Sequence, residues 1–233
     1  MPYRIDFHSH TGHSSDSLTP AAQLLEAAIR AGLAALTVTD HNNIGGAMQA
    51  VSLVQRQPER FGSLIVYPGE EVMTREGEII GVFLRSAIPR GLTPEETITR
   101  IRDQGGLVLV PHPFDRARNS RLAERALERV AGLVDAIETF NSRTTLPADN
   151  ARAVAFAAAH GLPAVGGSDA HTPGEVGNAY LEIDEPPARD PAGLLAQIKG
   201  GRVGGRSSHP AVHIASKAAK WGKRLGLAPQ VRL

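Results

Sequence analysis

Short apolar runs rich in valine, isoleucine and leucine recur along the chain, each followed by a stretch with helical spacing, and this alternation constrains the fold more than any single motif. The runs fall at 4–7, 35–39, 64–67, 79–84, 107–110, 136–139 and 163–165, with a further short one at 180–183. Runs that are apolar on both faces suit strands of a parallel sheet covered by helices; a half-solvated sheet would alternate polar and apolar residues instead. Seven or eight βα units in series suffice to close a barrel. The 233 residues fit one such domain, and a composition of 42% hydrophobic and 21% charged residues excludes a disordered or fibrous chain. The expected fold class is therefore α/β, as a single barrel domain.

The boundaries of the units are marked by caps. Thr19-Pro20, Thr93-Pro94 and Asp190-Pro191 each place an N-cap residue before a proline at the first helical position, and Glu96 completes a capping box with Thr93. Gly32, Gly105 and Gly161 stand where left-handed C-caps would end helices. The glycine-rich piece 200–205 reads as a loop leading to a basic amphipathic helix at about 211–225. On this reading residues 1–205 form the barrel and 206–233 a basic extension packed on it.

Several function classes drop out. No apolar run is long enough to cross a bilayer, and residues 1–10 lack the basic and apolar regions of a secretory signal, so a cytoplasmic location without a membrane partner is expected. Cysteine is absent, which removes disulfides and thiolate sites and leaves nitrogen and oxygen as metal ligands. The net charge of +1 hides an asymmetry: Asp190 is the last acidic residue, eight Lys or Arg follow it, and all four lysines (Lys199, Lys217, Lys220, Lys223) are among them. Such a tail is either a patch for a polyanion such as nucleic acid or a solvated helix face.

Histidines and carboxylates gather at the ends of the strand candidates. His8, His10, His13 and Asp16 follow Phe7; Asp40 and His41 follow Thr39; Glu70 and Glu71 follow Tyr67. His112 follows Val110, Glu138 and Asn141 follow Ile137, and Asp169 and His171 follow Val165. Parallel strands in a barrel point their C-terminal ends to one rim, so these groups would converge on one cup. So many crowded carboxylates would repel one another unless divalent cations supplied compensating charge. Imidazole mixed with carboxylate suits zinc, manganese or iron(II) and is too nitrogen-rich for calcium. In His8-Ser9-His10 the alternation of an extended segment puts both imidazoles on one face, where they can grip one ion.

The sequence resembles the PHP (polymerase and histidinol phosphatase) proteins over nearly its whole length. Asp6-Phe7-His8-Ser9-His10, continuing to Asp16, is similar to the first family motif, and Thr39-Asp40-His41-Asn42 to the second. Pro68-Gly69-Glu70-Glu71 resembles the third, Pro111-His112-Pro113 the fourth, and Gly167-Ser168-Asp169-Ala170-His171 the last. The resemblance implies a distorted (β/α)7 barrel and two or three divalent ions (Zn, Mn or Fe). One would be held by His8, His10, Glu71 and Asp169, a second by the bridging Glu71 with His112, and a third by Asp16, His41 and His171. Glu70 is the alternative bridge. Where many members carry a histidine shortly after the bridging glutamate this chain has Glu78, which either completes the second site or is an ordinary exposed strand residue.

Clustered divalent ions acidify water and polarise phosphoryl oxygens, so the implied activity is hydrolysis of a phosphate ester, as a metal-dependent phosphoesterase. Asp40 and His171 are candidate proton donors to the leaving group unless they are ligands. Arg143 is the best-placed arginine to grip phosphate, with Arg116 and Arg118 next. The expected substrate is a small phosphorylated metabolite or nucleotide, with a short oligonucleotide as an alternative; aromatic residues at 4% offer no evident stacking platform for long strands. Two other readings compete. An amidohydrolase-type C–N hydrolase also opens with His-x-His, but those with two metals commonly bridge them through a mid-barrel lysine, and here no lysine precedes Lys199. A non-catalytic module binding nucleic acid or a protein partner would be expected to have lost several ligands.

Overall fold

The computed structural model describes residues 2–227. In chain order the elements are β1 (Tyr3–Asp6), α1 (Ala21–Arg30), β2 (Ala35–Val38), α2 (Gly45–Arg56), the single-turn α3 (Pro58–Phe61), β3 (Ile65–Met73) and β4 (Glu78–Val82). They continue with α4 (Pro94–Asp103), β5 (Leu107–Val110), α5 (Glu124–Val130), β6 (Ala136–Asn141), α6 (Pro147–His160) and β7 (Ala164–Gly167). The last are β8 (Ala179–Ile183), α7 (Pro191–Gly200), β9 (Arg202–Gly205) and α8 (Val212–Arg224).

The strands form one sheet in the order β7-β6-β5-β4-β3-β2-β1-β8-β9. It curls until its ends meet. The first half of β1 pairs with β8, whereas the chain beyond β1 bonds to the chain at the end of β7: Phe7 N–H donates to Gly166 O (3.2 Å), Asp169 N–H to His8 O (2.8 Å) and His10 N–H to Ala170 O (2.9 Å). The result is a barrel whose rim is drawn shut by the residues of the first and last motifs.

Inside, strand alternation sorts the side chains. Leu107 and Leu109 join Ile5, Phe7, Tyr67 and Val165 in the interior cluster, while Val108 and Val110 face outward onto Ile101 of α4 and Leu127 of α5. Burying a side chain of this size is worth about 1.5–3 kcal/mol, which fixes the register of each strand and so the direction of the polar groups at its end.

Three expectations need correction. The strands are not all parallel: β4 runs antiparallel to both β3 and β5, and β8 is antiparallel to β1. The cause is the four-residue connection 74–77, too short for the dozen or more residues a parallel crossover requires. It closes as a tight turn in which Gly77 adopts φ +127°, and a side chain there would strike the backbone of Leu122 at 2.4 Å. Residues 200–205 are not wholly loop, because Arg202–Gly205 pairs with β8 through backbone bonds that need no strand-favouring side chain. Thr19 does not cap α1; its hydroxyl donates to the carbonyl of His171 at 2.9 Å instead. The other caps stand as expected, with a complete capping box at Thr93, Asp190 accepting from Gly193 N–H, and positive φ at Gly32, Gly105 and Gly161. No described helix is long and apolar enough to cross a membrane.

Candidate metal centre

The site begins where β1 runs out of pairing partners for its side chains. Asp6, fully buried, anchors this end by accepting the N–H groups of His8 (3.2 Å), Ser168 (2.9 Å) and Gly177 (3.0 Å), and burial raises its carboxyl to about 6. Beyond it, His8 and His10 lie on one face with ring centroids 5.0 Å apart, while Ser9 turns away and donates to Thr37 O at 2.7 Å.

Four carboxylates meet these rings and those of His41, His112 and His171. Oε2 of Glu71 lies 3.4 Å from His8 Nε2, 3.6 Å from His10 Nε2 and 2.9 Å from His41 Nδ1, and its Oε1 lies 3.0 Å from His112 Nε2. Oδ1 of Asp169 is 3.6 Å from His8 Nε2 and 3.2 Å from His10 Nε2. Glu78, buried at the start of β4, reaches His41 Nδ1 (3.5 Å) and His112 Nε2 (3.7 Å), so it is no exposed strand residue. Asp16 spans His41 Nε2 (3.4 Å) and His171 Nε2 (3.3 Å). Glu70 points the other way along the alternating β3, accepts Ile88 N–H at 2.8 Å, and is raised to about 7 by burial.

Many of these atoms have no hydrogen-bond partner although buried: Nε2 of His8 and His10, Oε2 of Glu71 and Glu78, Oδ1 of Asp16 and Asp169. Orphaned buried polar atoms are costly, and a cluster of them aimed at common points is what a cation would satisfy. Ligand atoms of His8, His10 and Asp169 lie within 4.8 Å of one another, as do those of His8, Glu71 and His112, of His41, Glu71 and Glu78, and of His10, His41 and His171. The donor set, all nitrogen and oxygen, fits divalent transition metals.

Electrostatics follow from the crowding. Burial lowers the pKa of His8, but Asp169 and Glu71 outweigh it and hold the imidazole well above its ordinary value; for His41, Glu71 and Asp16 do the same against burial. His10 goes the opposite way, down to about 3, through burial and the neighbouring His171, so it is neutral and ready to ligate. Burial works to raise Glu71, yet His8 and His41 keep its carboxyl well below the usual range. Glu78 is raised, first by burial and then by Glu71.

A second layer orients the rings. His8 Nδ1 meets Glu138 Oε1 at 3.1 Å, and Glu138 Oε2 accepts His112 N–H (2.7 Å) and Asn141 Nδ2 (2.9 Å). His10 Nδ1 meets Ser14 Oγ at 3.0 Å, and His171 Nδ1 meets Asp169 O at 2.8 Å. The three contacts at ring Nδ1 atoms turn the Nε2 of His8, His10 and His171 toward the cluster. Gly167 makes room, since a side chain there would strike Glu138 Oε1 at 2.0 Å. His112 and Asp169 both hold positive φ, 31° and 53°, a strained backbone of the sort that persists at functional sites. Ser14 and Asp6 also hold this layer in place, and nothing in their spacing distinguishes them from ordinary loop and strand residues.

Three named residues do not join the cluster. Asp40 spends its oxygens on Thr11, accepting the backbone N–H (2.6 Å) and the hydroxyl (2.7 Å). His13 lies by Gln49, 3.3 Å away. Arg116 turns outward to Asp149 at 2.8 Å. Arg118, by contrast, donates to Asp169 and Asp115, and Arg143 is buried between Glu175 (3.3 Å) and the α8 residues Val212 and Ser216. Both arginines line a smaller cavity with Asp16 and His171.

The comparisons with known proteins bear on the family and the fold. The PHP domain family matches residues 6–81, and the PHP-associated family matches 147–203. An uncharacterized protein of Methanocaldococcus jannaschii is 37% identical over 150 residues, 60% of this chain and 82% of that protein. Among solved structures, PsfC from Pseudomonas syringae matches with a TM-score of 0.71 at 20% identity, over 95% of this chain and 99% of its own. A two-domain protein containing a predicted PHP-like metal-dependent phosphoesterase from Bacteroides vulgatus matches at 0.68 and 19% identity, over 88% of this chain, which spans 65% of that longer one. An amidohydrolase from Chromobacterium violaceum, with bound sulfate and no metal, matches at 0.58 and 16% identity, over 92% of this chain and 96% of its own. These structural likenesses are likenesses of fold; the family matches at both ends of the barrel, and a relative aligned over most of its length, place this chain in the PHP domain family.

Proposed function

We propose that this protein hydrolyses a phosphate ester with the help of two or three divalent ions. The observation that carries the reading is the convergence of His8, His10, Glu71, His112 and Asp169 on one buried cluster with orphaned donor atoms. In this reading His8, His10, Glu71 and Asp169 hold one ion, and Glu71, His112 and Glu78 a second. Asp16, His41 and His171 hold a third; in a two-ion enzyme the Nε2 of His171 would instead protonate the leaving oxygen.

Bound divalent ions would supply a water acidic enough to serve as hydroxide near neutral pH, together with positive charge for the phosphoryl oxygens. The chain's own residues do the rest. Glu138, Ser14 and the Asp169 carbonyl fix the imidazole orientations, and the barrel interior keeps the cluster dry on its inner side. Arg118 and Arg143 stand at the wall beside Asp16 and His171, where guanidinium groups complement a phosphate. Asp40, tied to Thr11, positions the loop between His10 and Asp16 and is not assigned a proton-transfer role.

A C–N hydrolase reading is the competitor. Against it stands the bridging position, filled by Glu71 in a chain with no lysine before Lys199. The test is release of p-nitrophenol from bis(p-nitrophenyl) phosphate and p-nitrophenyl phosphate after EDTA treatment, with Mn, Zn or Fe(II) restored in turn, beside a p-nitroanilide control. Ion-dependent turnover of a phosphate ester alone is the expected result. Turnover of the anilide alone, or none at all by protein shown to bind the ions, would overturn the reading.

A further inference from the structure

Helix α8 turns an unusual face to the barrel. His213, Ser216, Lys217, Lys220, Lys223 and Arg224 are spaced as one helical stripe, and each lines one of two cavities at the barrel mouth. On the other side, Ile214 and Trp221 are 70% and 63% exposed. An ordinary surface helix buries its apolar stripe and leaves its charges in water. Here Ala219 and Lys223 are the buried residues, and the exposed Lys217, Lys220 and Arg224 stand at the edges of the cavities, so apolar burial alone does not explain why the helix docks where it does.

Polar anchors hold it. Lys223 Nζ donates to the carbonyls of Gly12 and Ser14, Arg143 reaches Val212 O (3.3 Å) and Ser216 Oγ (2.5 Å), and Ser208 Oγ lies 2.8 Å from Ser142 Oγ. What these anchors position is a wall of the larger cavity, about 680 Å³ in volume. Asp16, His41 and Glu78 of the metal cluster line it, together with Arg90, Arg118, Lys220, Lys223 and Arg224.

The cations of that wall are of two kinds. Arg118 and Lys223 are engaged, with Asp169 and Asp115 and with loop carbonyls. Arg90, Lys220 and Arg224 form no ion pair with a carboxylate of the described residues, although acids lie in the same cavity. Those acids, Asp16 and Glu78, are committed to the imidazoles. Like charges gathered on one concave wall raise the local potential for anions, and a cavity of this size holds much more than one phosphoryl group.

Resting on the phosphoesterase reading, we propose that Lys220, Arg224 and Arg90 form a subsite for a second phosphate, so that the preferred substrate carries one phosphate at the metal cluster and another a few bonds away. The basic tail is thereby part of the substrate site. It is neither a solvated face nor a patch for long nucleic acid.

The test compares 1,3-propanediol bisphosphate with propyl phosphate in the metal-loaded, full-length protein. Wild type is expected to favour the bisphosphate by at least about tenfold in kcat/KM, a difference of about 1.4 kcal/mol. In K220A/R224A that ratio should collapse toward unity, with R90A intermediate, while circular dichroism and Mn binding verify the fold. An unchanged ratio in the double variant, or no preference in wild type, would overturn the subsite. Calorimetric titration of the bisphosphate into both proteins decides the matter even without turnover. Equal affinities refute the subsite, whereas binding at least about tenfold tighter to wild type, with neither compound hydrolysed, supports the subsite and refutes the phosphoesterase reading alone.

Discussion

Glu138 Oε1 lies 3.1 Å from His8 Nδ1, and the other oxygen of the same carboxylate holds the backbone N–H of His112 at 2.7 Å, so one buried acid fixes a ring on β1's extension and a backbone turn after β5. The two histidines so aligned sit on either side of Glu71. Outer-layer partners of this kind are worth about 10–100-fold in metal affinity. Glu138→Gln keeps the shape and loses the charge, and it is expected to weaken Mn binding by that range without altering the circular dichroism spectrum. Titration of metal-free protein measures it; affinity equal to wild type would separate Glu138 from the centre.

Asp169→Ala removes a carboxylate shared by His8, His10 and Arg118 at the rim, where no core volume is lost. Ion-dependent hydrolysis is expected to fall by at least about 100-fold, more than for the outer-layer residue. The fold should survive, because Arg118 keeps Asp115 as a partner. Wild-type turnover in this variant would contradict the assigned ligand set.

How far the sequence foretold this centre depends on the residue. The motif positions sit at the ends of apolar runs, and the barrel brings such ends together, so His8, His10, Asp16, His41, Glu71, His112, Asp169 and His171 could be named before any contact was known. The antiparallel β4 was hidden, because a four-residue turn and a longer break look alike when Glu70 and Glu71 are placed after the strand instead of within it. Ser14 and Asp6 were hidden for another reason: their work is done by hydrogen bonds to backbone and ring groups across the rim, which leave no periodic trace. The placing of α8's cations along the cavities was the opposite case, since amphipathicity alone tells that a face exists and not which side of the helix the fold will set beside the barrel mouth.

Metal binding should register in thermal stability. A ligand that binds only the folded state adds about 2.7 kcal/mol at a hundred times its Kd, and for a domain of this size each kcal/mol moves Tm by roughly 2–4 °C. Saturating Mn is therefore expected to raise Tm by roughly 5–10 °C, and EDTA to reverse it. The rise should shrink as pH falls. His8 and His41, held above their ordinary pKa by the surrounding acids, keep protons that the ion must displace, so affinity increases with pH. Scanning calorimetry across about pH 6 to 8 checks both; an equal shift throughout would exclude proton displacement.

Glu70 offers a pH effect apart from the metal. Burial raises its carboxyl to about 7, against 4.5 for the unperturbed group. Between these values the unfolded chain has released the proton and the folded chain retains it, so stability declines as pH rises through the window and the loss is complete above about 7, at no more than about 3 kcal/mol. Glu70→Gln accepts the Ile88 N–H equally well and cannot ionise. Urea unfolding of wild type and E70Q at about pH 5 and pH 8 should show the variant gaining stability relative to wild type at the higher pH; parallel curves would mean that Glu70 ionises in the fold as it does in water.

Lys223 ties α8 to the loop that carries His10 and Asp16, through the carbonyls of Gly12 and Ser14. Hydrogen bonds from a charged donor are worth about 1.5–3 kcal/mol each before the cost of ordering the lysine, about 2 kcal/mol. Lys223→Ala is thus expected to lower the free energy of opening α8 by at least about 1 kcal/mol, which exchange experiments read as at least roughly fivefold faster amide exchange across 212–224. The same variant should loosen residues 12–14, since the contact restrains both partners. Trp221, the single tryptophan, lies on α8 and serves as a second reporter through its quenching by iodide. Exchange rates unchanged in both segments would show that the helix is held by its other anchors, Arg143 and Ser208, and that the lysine contributes nothing to closing the cavity wall.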